Sequence, residues 1–438
     1  MLKVARDHVS WLFFPHRFLY AAQPAPRYLR VPGWETLRFV ASQEEVAAVT
    51  RATGEVFLGG AGNEFLEALL GPQSVFLLDG DRHRMARRIA GEALSRTSRG
   101  PSYAQAVSVY VEEAIDGVAA GRLTRVGPWA RRLTMRAVSL ATLGSDDETM
   151  AGRLFRAFES TTGFAANIVS YTKWMWLPRG PFSVGAMAAR FAGRVDRILY
   201  PEIAARRQAG AHGTCPLDAL IRGQAEHGYD DRFIRDNVVA LLAAGYETTG
   251  AAIAWMLYWL SQPDLFVRAR TRREAGDREY LTAFRNECLR YCPPVDLLPR
   301  KIAPHRLAEA VALLPDLDKW VSVDPGSGER DAPVVCPFVH RIHHDASVHD
   351  HPAEFDPGRF VGRSYPPTAF LPFGLGRRFC LGAAVGQDLM DRVLDRLLAR
   401  DLCFEFLSRT FAPVRRNVII WPGALLLARL RPGPRTTP

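Results

Sequence analysis

Cysteine is scarce in this chain of 438 residues, and the six cysteines are spaced in a way that excludes two common uses of the residue. No CxxC pair occurs, so the sequence lacks the short-spaced ligands of a structural zinc site. Six cysteines are also too few to form a disulfide framework that stabilises a fold of this length. We therefore expect free thiols and a cytoplasmic location, because the cytoplasm keeps thiols reduced.

Long hydrophobic runs are also missing. No segment approaches the ~18 consecutive apolar residues of a membrane-spanning helix, so we expect no membrane span. An apolar patch near the N-terminus is interrupted by His8, His16 and Arg17, which excludes the hydrophobic centre of a secretory signal. We interpret residues 1–27 as an N-terminal extension that covers a pocket, with contact to a membrane surface as the alternative.

Internal repeats and Gly/Ser-rich linkers are absent from the sequence. The content of 48% hydrophobic and 23% charged residues is typical of a folded globular protein and excludes a disordered chain. The sequence therefore predicts one large domain over residues 1–438, with a disordered tail at 431–438.

Basic residues outnumber acidic ones, and the formal net charge of the chain is +10 at pH 7. Arginines occur in many short clusters, but no recognised nucleic-acid-binding module surrounds any of them, so we expect no nucleic acid partner. A basic surface is also suited to an acidic protein partner.

The coarse fold class follows from periodicity. Apolar residues recur with a helical period from about residue 80 to 290, whereas short β-like runs lie at 28–39, 301–340 and 417–430. The prediction is a mainly α protein with small β-sheets.

One predicted helix, over residues 231–262, is apolar on every side and should cross the interior. Its centre nevertheless contains Gly245, Glu247 and Thr248, although a buried carboxylate needs a partner or a shifted pKa. Thr248 could donate a hydrogen bond to the carbonyl of Ala244 or release it. These residues alone leave two interpretations open: a tolerated kink, or a site that faces the middle of the helix.

The segment FLPFGLGRRFCLG, residues 370–382, places Cys380 just before a predicted helix. The helix dipole and free N–H groups there favour a thiolate. Such a thiolate is either a nucleophile or a metal ligand, and no histidine base lies in the segment.

The same segment carries a resemblance to a known family. Phe373, Gly376, Arg378, Cys380 and Gly382 match the pattern FxxGxRxCxG, and the chain therefore resembles the cytochrome P-450 family over most of its length. The resemblance implies the cytochrome P-450 fold and haem b as the cofactor, with Cys380 as the axial thiolate ligand of iron and with Phe373, Arg378 and Gly382 in the binding loop.

The resemblance extends to the long helix, where AGYETT at 244–249 is similar to the family's acid–threonine motif. It implies that Glu247 and Thr248 handle proton delivery during dioxygen activation. It also implies substrate-pocket positions at small or aliphatic residues, namely Ala243, Ala244, Val295, Leu297 and Val418.

Two further motifs concern the framework and the haem carboxylates. Glu287 and Arg290 match the family's ExxR, with Arg359 as the implied third member of a structural cluster, while a second ExxR at Glu35–Arg38 is taken as incidental. The basic residues that the resemblance implies as ligands of the haem propionates are His83, Arg87, Arg300 and Arg378.

Two stretches depart from the pattern or suggest another site. Residues 301–340 are longer and more polar than is usual in the family. Five histidines between 340 and 351 look like a metal cluster, but we interpret them as surface structure.

The sequence therefore predicts a haem-thiolate monooxygenase that inserts one oxygen atom of O2 into an apolar small molecule. Hydroxylation is a reaction of this type. Electrons would come from a separate ferredoxin or flavodoxin with its reductase. A haem-thiolate peroxygenase or substrate-rearranging enzyme is the alternative, and a non-enzymatic haem sensor or basic binding protein is the third possibility.

Overall fold

A computed structural model describes residues 27–30, 35–118, 121–160, 183–323, 330–408, 413–416, 418–423 and 426–434. The helices in this part of the chain are, in order, α1 (Gln43–Arg51), α2 (Gly59–Gly62), α3 (Glu67–Leu70), α4 (Gly80–Ser98), α5 (Pro101–Asp116), α6 (Val126–Leu143), α7 (Glu148–Glu159), α8 (Val184–Gln208), α9 (Pro216–His227), α10 (Asp231–Leu260), α11 (Pro263–Glu274), α12 (Arg278–Tyr291), α13 (Leu307–Leu313), α14 (Val339–His343) and α15 (Ala383–Ala399).

The strands are short. They are β1 (Tyr28–Arg30), β2 (Thr36–Val40), β3 (Phe57–Leu58), β4 (Leu123–Arg125), β5 (Lys301–Ile302), β6 (Ser322–Val323), β7 (Arg330–Asp331), β8 (Val334–Pro337), β9 (Leu402–Phe406), β10 (Val414–Arg416), β11 (Ile419–Trp421) and β12 (Leu427–Pro432). Helices dominate and the sheets are small, in agreement with the predicted class.

The strands form five small sheets within the described residues. Strand β2 pairs antiparallel with β1 and parallel with β8, with Leu37 opposite Val334. Strand β12 lies between β4 and β9, and the pairs β10–β11, β3–β5 and β6–β7 are antiparallel.

Helix α10 is the central helix of the fold. The Asp230 side chain caps its first turn by accepting a hydrogen bond from the Phe233 N–H at 2.9 Å. It ends at Leu260, shortly before Pro263 opens α11, so the predicted helix over 231–262 is confirmed to within two residues. Its 30 residues span roughly 45 Å at 1.5 Å per residue.

The same helix is long and apolar enough to cross a membrane by length and composition, and no other helix of the described chain meets that criterion. Its most apolar window is 72% buried inside the protein, however, which is the behaviour of a core helix. Close packing explains Gly245: a Cβ atom there would lie 2.5 Å from Cγ2 of Val138 on α6. The glycine at this position therefore serves the α6–α10 contact.

The structure corrects three expectations about boundaries and loops. Strand β12 continues to Pro432, with Arg431 opposite Cys403, so residues 431 and 432 belong to a sheet and not to a disordered tail. Residues 435–438 and the predicted extension up to residue 26 lie outside the described residues. Residues 304–320 lie in the region where the sequence suggested short β-like runs, but they form α13 flanked by two 3-10 turns.

The histidine segment is the third correction. His340, His343 and His349 are buried, not exposed, and His340 stacks on His344 with ring centroids 4.0 Å apart. Burial lowers the pKa of His349 to about 4, so its imidazole is neutral at pH 7. No group of three potential metal ligands was found among the described residues.

Candidate active site

The loop that carries Cys380 is a tight turn followed by α15. The Cys380 N–H donates to the carbonyl of Phe373 at 2.9 Å and closes the loop, and residues 376–378 form a 3-10 turn inside it. Gly374 and Gly376 have φ angles of +71° and +64°, a region that disfavours other residues. A Cβ at Gly376 would also lie 2.7 Å from Cγ2 of Thr50, so α1 requires this glycine.

The Cys380 side chain is exposed, whereas the five other cysteines are buried, and all six are free thiols. Desolvation by the surrounding protein nevertheless raises its pKa, while the Gly382 N–H and Arg87 act in the opposite direction. The helix-end N–H group lowers this pKa as the sequence predicted, but burial outweighs it in the thiol without a bound metal. No imidazole is among the groups that act on this pKa, and the thiol has the surroundings of a metal ligand more than of a base-activated nucleophile.

The four basic residues expected around the haem carboxylates converge in the structure. Burial, together with the positive charges of Arg378, Arg87 and Arg300, lowers the pKa of His83 to about 4. The pKa of Arg300 falls to about 10 through burial and through the charge of Arg378. These shifts show a cluster of positive charge in which like charges act on one another.

One carboxylate that the sequence did not predict lies in this cluster. Asp79 Oδ1 accepts hydrogen bonds from Arg378 Nη2 at 2.6 Å and from the Gly59 N–H at 3.1 Å, and Oδ2 accepts from the Ala61 N–H at 3.1 Å. The available signal was its position directly before α4. Asp79 thus joins α2 to the cysteine loop.

The donor set fits a thiolate-ligated haem. An exposed cysteine sulfur just before α15 and four basic side chains, on α4, on the cysteine loop and beside β5, could serve an iron atom and two propionates. Burial is the main cause of the lowered pKa values of His83 and Arg300, and repulsion between like charges adds to it; two added carboxylates would offset that repulsion.

Thr248 and Glu247 lie in unbroken helix. The Thr248 hydroxyl donates to the carbonyl of Ala244 at 2.5 Å, the first of the two states considered from the sequence. Thr249 instead faces α15, where a Cβ added at Gly386 would lie 3.3 Å from its Oγ1. The two threonines therefore have different surroundings.

Glu247 is buried, and its two oxygens differ. Oε1 accepts a hydrogen bond from the Trp421 indole at 2.9 Å and lies 3.5 Å from Nε of Arg416. Oε2 is buried without a hydrogen-bond partner among the described residues. Burial raises the pKa of Glu247, and Arg416 and Arg131 oppose the rise. The balance favours a carboxyl that retains its proton at higher pH than usual.

A second carboxylate lies behind this group. Arg131 donates to both oxygens of Glu159, at 2.6 and 2.9 Å, and the Tyr246 hydroxyl donates to Glu159 at 2.8 Å. The Arg131 guanidinium also lies over the Trp421 ring, 4.9 Å from its centroid. Sequence reasoning missed these partners, because they come from α6, α7 and β11 and only the fold brings them together.

The predicted structural trio is in contact. Arg290 donates to both oxygens of Glu287 at 2.7 and 2.8 Å, and Arg359 donates to Oε1 at 3.1 Å. Arg290 also bonds the carbonyls of His343, Pro352 and Glu354, which fastens α12 to the segment before the cysteine loop. In the other ExxR copy, Arg38 pairs with Glu45 and Asp316 and Glu35 pairs with Lys301, so its two charged residues do not pair.

The expected pocket residues fall into two groups. Ala243 and Ala244 are half-buried at the centre of α10, as are Gly245, Thr248 and Thr249. Val295 forms a β-bridge with Ile419, next to Val418, and Leu297 forms one with Phe338. The structure therefore brings Val295 and Val418 together.

A mostly helical fold with small sheets, an open cysteine in a glycine loop and a converging basic cluster defines a haem-thiolate type of protein. The family model described as cytochrome P-450 matches residues 15–306 and 332–408, and the chain belongs to that family. Members bind haem through an axial cysteine thiolate, and the chain is a cytochrome P-450 monooxygenase in the general sense.

Similar proteins agree with this assignment. Cytochrome P-450 135B1 of Mycobacterium tuberculosis is 28% identical over 442 residues, which cover 95% of this chain and 87% of that protein. Cytochrome P-450 137 of the same organism is 28% identical over 397 residues, covering 88% of this chain and 78% of that protein.

Two solved structures share the fold. The retinoic acid-bound cyanobacterial CYP120A1 superimposes with a TM-score of 0.76 at 20% identity and covers 97% of this chain and 96% of its own. The haem domain of cytochrome P-450DA gives a TM-score of 0.71 at 20% identity, covering 92% of this chain and 89% of its own.

Proposed function

We propose that this protein is a monooxygenase in which Cys380 is the axial haem ligand and Glu247 and Thr248 supply protons, acting on an apolar small molecule. A thiolate-bound haem, when present, activates dioxygen so that one oxygen atom enters the substrate and the other leaves as water. The observation that carries the proposal is the open Cys380 sulfur beside the basic cluster formed by His83, Arg87, Arg300 and Arg378.

The basic cluster would hold the cofactor carboxylates. Arg87 reaches the carbonyl of Phe379, next to the cysteine, so its guanidinium already lies at the loop. Arg378 bonds backbone carbonyls at Val75 and Leu78 in addition to Asp79. Phe373 and Gly382 shape the loop around the sulfur through the hydrogen bonds to Cys380 described above.

Proton delivery would start at Glu247. Its raised pKa favours the neutral acid, and a proton can reside on Oε2, the oxygen without a hydrogen-bond partner. Thr248 can then receive and pass on a proton at Oγ1 when its hydroxyl turns away from the Ala244 carbonyl.

The substrate class follows from the proposed pocket positions. Ala243, Ala244, Val295, Leu297 and Val418 offer small or aliphatic surface and no charge, which suits an apolar molecule. The proposed reaction on such a substrate is hydroxylation of an unactivated carbon.

An electron carrier is the expected partner, since bacterial members of the family generally use one. We propose a ferredoxin or flavodoxin that docks beside the cysteine loop. Arg377 is half-exposed there and pairs with the exposed Glu55, and Arg84, which pairs with Asp81, and Arg88 are exposed on α4 near Arg87. An acidic carrier would complement this charge. The six free thiols are consistent with a reducing cytoplasmic environment.

The test is the spectrum of the ferrous carbonyl complex. The haem-loaded protein should show the red-shifted Soret band of a thiolate ligand, and Cys380→Ser should abolish it. Cys403→Ser, which changes a buried thiol on β9, is the matched control and should keep the band. A thiolate band in Cys380→Ser would show that another residue ligates the iron.

A further inference from the structure

A groove between α7 and α8 is lined mainly by arginine. Its volume is about 420 Å³, within the range of small-molecule sites. The residues that line it are Arg153, Arg156, Ala157, Arg194, Arg197 and Ile198.

The arrangement follows from helix geometry. Arg153 and Arg156 are three residues apart on α7, and Arg194 and Arg197 are three residues apart on α8, so each pair shares one helix face. The two faces meet across the groove and present four guanidinium groups to the same space. Ala157 and Ile198 are buried and form its apolar floor.

No carboxylate of the described residues neutralises these arginines. None of the four forms an ion pair with a carboxylate in the part of the chain that the structure describes, and Arg197 donates only to the carbonyl of Gly193. Nearby basic residues behave differently: Arg206 and Arg207, farther along α8, pair with Glu202 and Asp231. The groove is therefore an uncompensated concentration of positive charge.

Such a concentration is unfavourable without an anion. Like charges that line one groove repel one another, and salt screens that repulsion only in part at short range. Guanidinium groups bind phosphate and carboxylate oxygens through paired, charge-assisted hydrogen bonds.

From this geometry we infer a second binding site, in the groove between α7 and α8, for a small molecule with at least two phosphate or carboxylate groups. Each pair of arginines, one on each helix, would hold one anionic group. The site does not depend on the proposed roles of Cys380, Glu247 or Thr248.

Titration calorimetry of the haem-loaded protein with pyrophosphate tests the site at 150 mM salt. We expect one pyrophosphate per chain, bound at least about tenfold more tightly than orthophosphate because a second anionic group adds charge-assisted hydrogen bonds. Equal affinity for both anions, or no heat of binding, would overturn the inference. A parallel titration with vesicles of anionic lipid should show weaker binding to the protein than free pyrophosphate shows. Tighter binding to the vesicles would assign the groove to a membrane headgroup instead.

Charge-matched variants separate a site from general attraction. Arg156→Gln with Arg194→Gln should weaken pyrophosphate binding at least about tenfold. The control Arg99→Gln with Arg122→Gln removes the same charge from exposed arginines on other elements and should leave the affinity unchanged. Equal losses in both double variants would contradict a defined site. If the first variant does not fold, as judged by its haem spectrum, Arg153→Gln with Arg197→Gln provides the same comparison.

Discussion

At the scale of single residues, Glu247 shows how a buried acid can be prepared for proton transfer. One oxygen is held by the Trp421 indole and faces Arg416, while the other has no hydrogen-bond partner among the described residues. One oxygen of the carboxyl group is thus held in place, and the other is available for proton transfer.

Trp421→Phe should change the pH dependence of the enzyme. The indole N–H stabilises the ionised carboxylate, so its removal should raise the pKa of Glu247 further. Since the neutral acid is the proton source, the upper pH limit of coupled turnover should move to higher pH. The measurement is product formed per reductant consumed between pH 6 and 9.

The control for that experiment is Trp255→Phe. Trp255 donates a comparable buried hydrogen bond, at 3.0 Å, but to the carbonyl of Ile420. The substitution Trp255→Phe should lower the stability of the protein without shifting the pH dependence of coupled turnover. Identical profiles in the two variants would argue against a role of Trp421 in tuning Glu247.

Thr248→Ala should uncouple electron consumption from product formation. It removes the hydroxyl proposed to pass protons, whereas Thr249 faces α15 and cannot replace it. The spectrum of the ferrous carbonyl complex and the substrate-induced spin shift should be unchanged. The yield of product per electron should fall several-fold, and the yield of hydrogen peroxide should rise. Thr249→Ala is the control. Unchanged coupling in Thr248→Ala would favour a peroxide-driven or rearranging enzyme.

At the scale of elements, α12 is tied to the segment that leads into the cysteine loop. Arg290 bonds the carbonyls of His343, Pro352 and Glu354, and His343 accepts a hydrogen bond from the Leu371 N–H at 2.9 Å. Leu371 begins the stretch that ends at Cys380. The cluster at Glu287 therefore supports the cofactor loop through backbone contacts.

Glu287→Ala should yield little haem-loaded protein. The substitution leaves the buried guanidinium of Arg290, and that of Arg359, without their carboxylate, at a cost of ~3–5 kcal/mol for breaking a buried ion pair. The haem content of purified protein measures the effect. Glu35→Ala, in the ExxR copy whose members do not pair, should retain normal haem content. Equal haem content in the two variants would contradict a structural role for Glu287.

At the scale of the whole molecule, the net charge of +10 is unevenly compensated. Most basic residues of α11 and α12 form ion pairs, for example Arg273 and Arg278 with Asp395. Exposed arginines remain beside the cysteine loop and in the groove between α7 and α8. Two separate basic surfaces result.

Reduction by an acidic ferredoxin should slow as salt increases, because exposed charges are screened beyond ~8 Å at physiological ionic strength. Arg88→Gln with Arg377→Gln should lower the second-order rate several-fold at low salt and flatten its salt dependence. Stopped-flow reduction of the haem measures this. The double variant of Arg99 and Arg122 has the same net charge and should behave like the unchanged protein; a matching loss there would point to overall charge instead of docking.

The sequence by itself determined the helical class, the long core helix and the candidate ligand. These depend on local signals: a 3.6-residue apolar period, capping by Asp230, and glycines around Cys380 that allow positive φ angles. It did not predict α13 or the extension of β12 to Pro432, because tertiary pairing decides short elements whose local preference is weak.

Only the tertiary structure decided the surroundings of the site. Asp79, Trp421, Arg131 and Glu159 lie far from Cys380 or Glu247 in sequence, and no local pattern marks them as partners. The sign of the Cys380 pKa shift likewise depends on desolvation by packed elements and not on the helix end alone. Burial and contact between distant segments are properties of the folded chain, whereas the local sequence determines apolar periodicity, helix caps and turns.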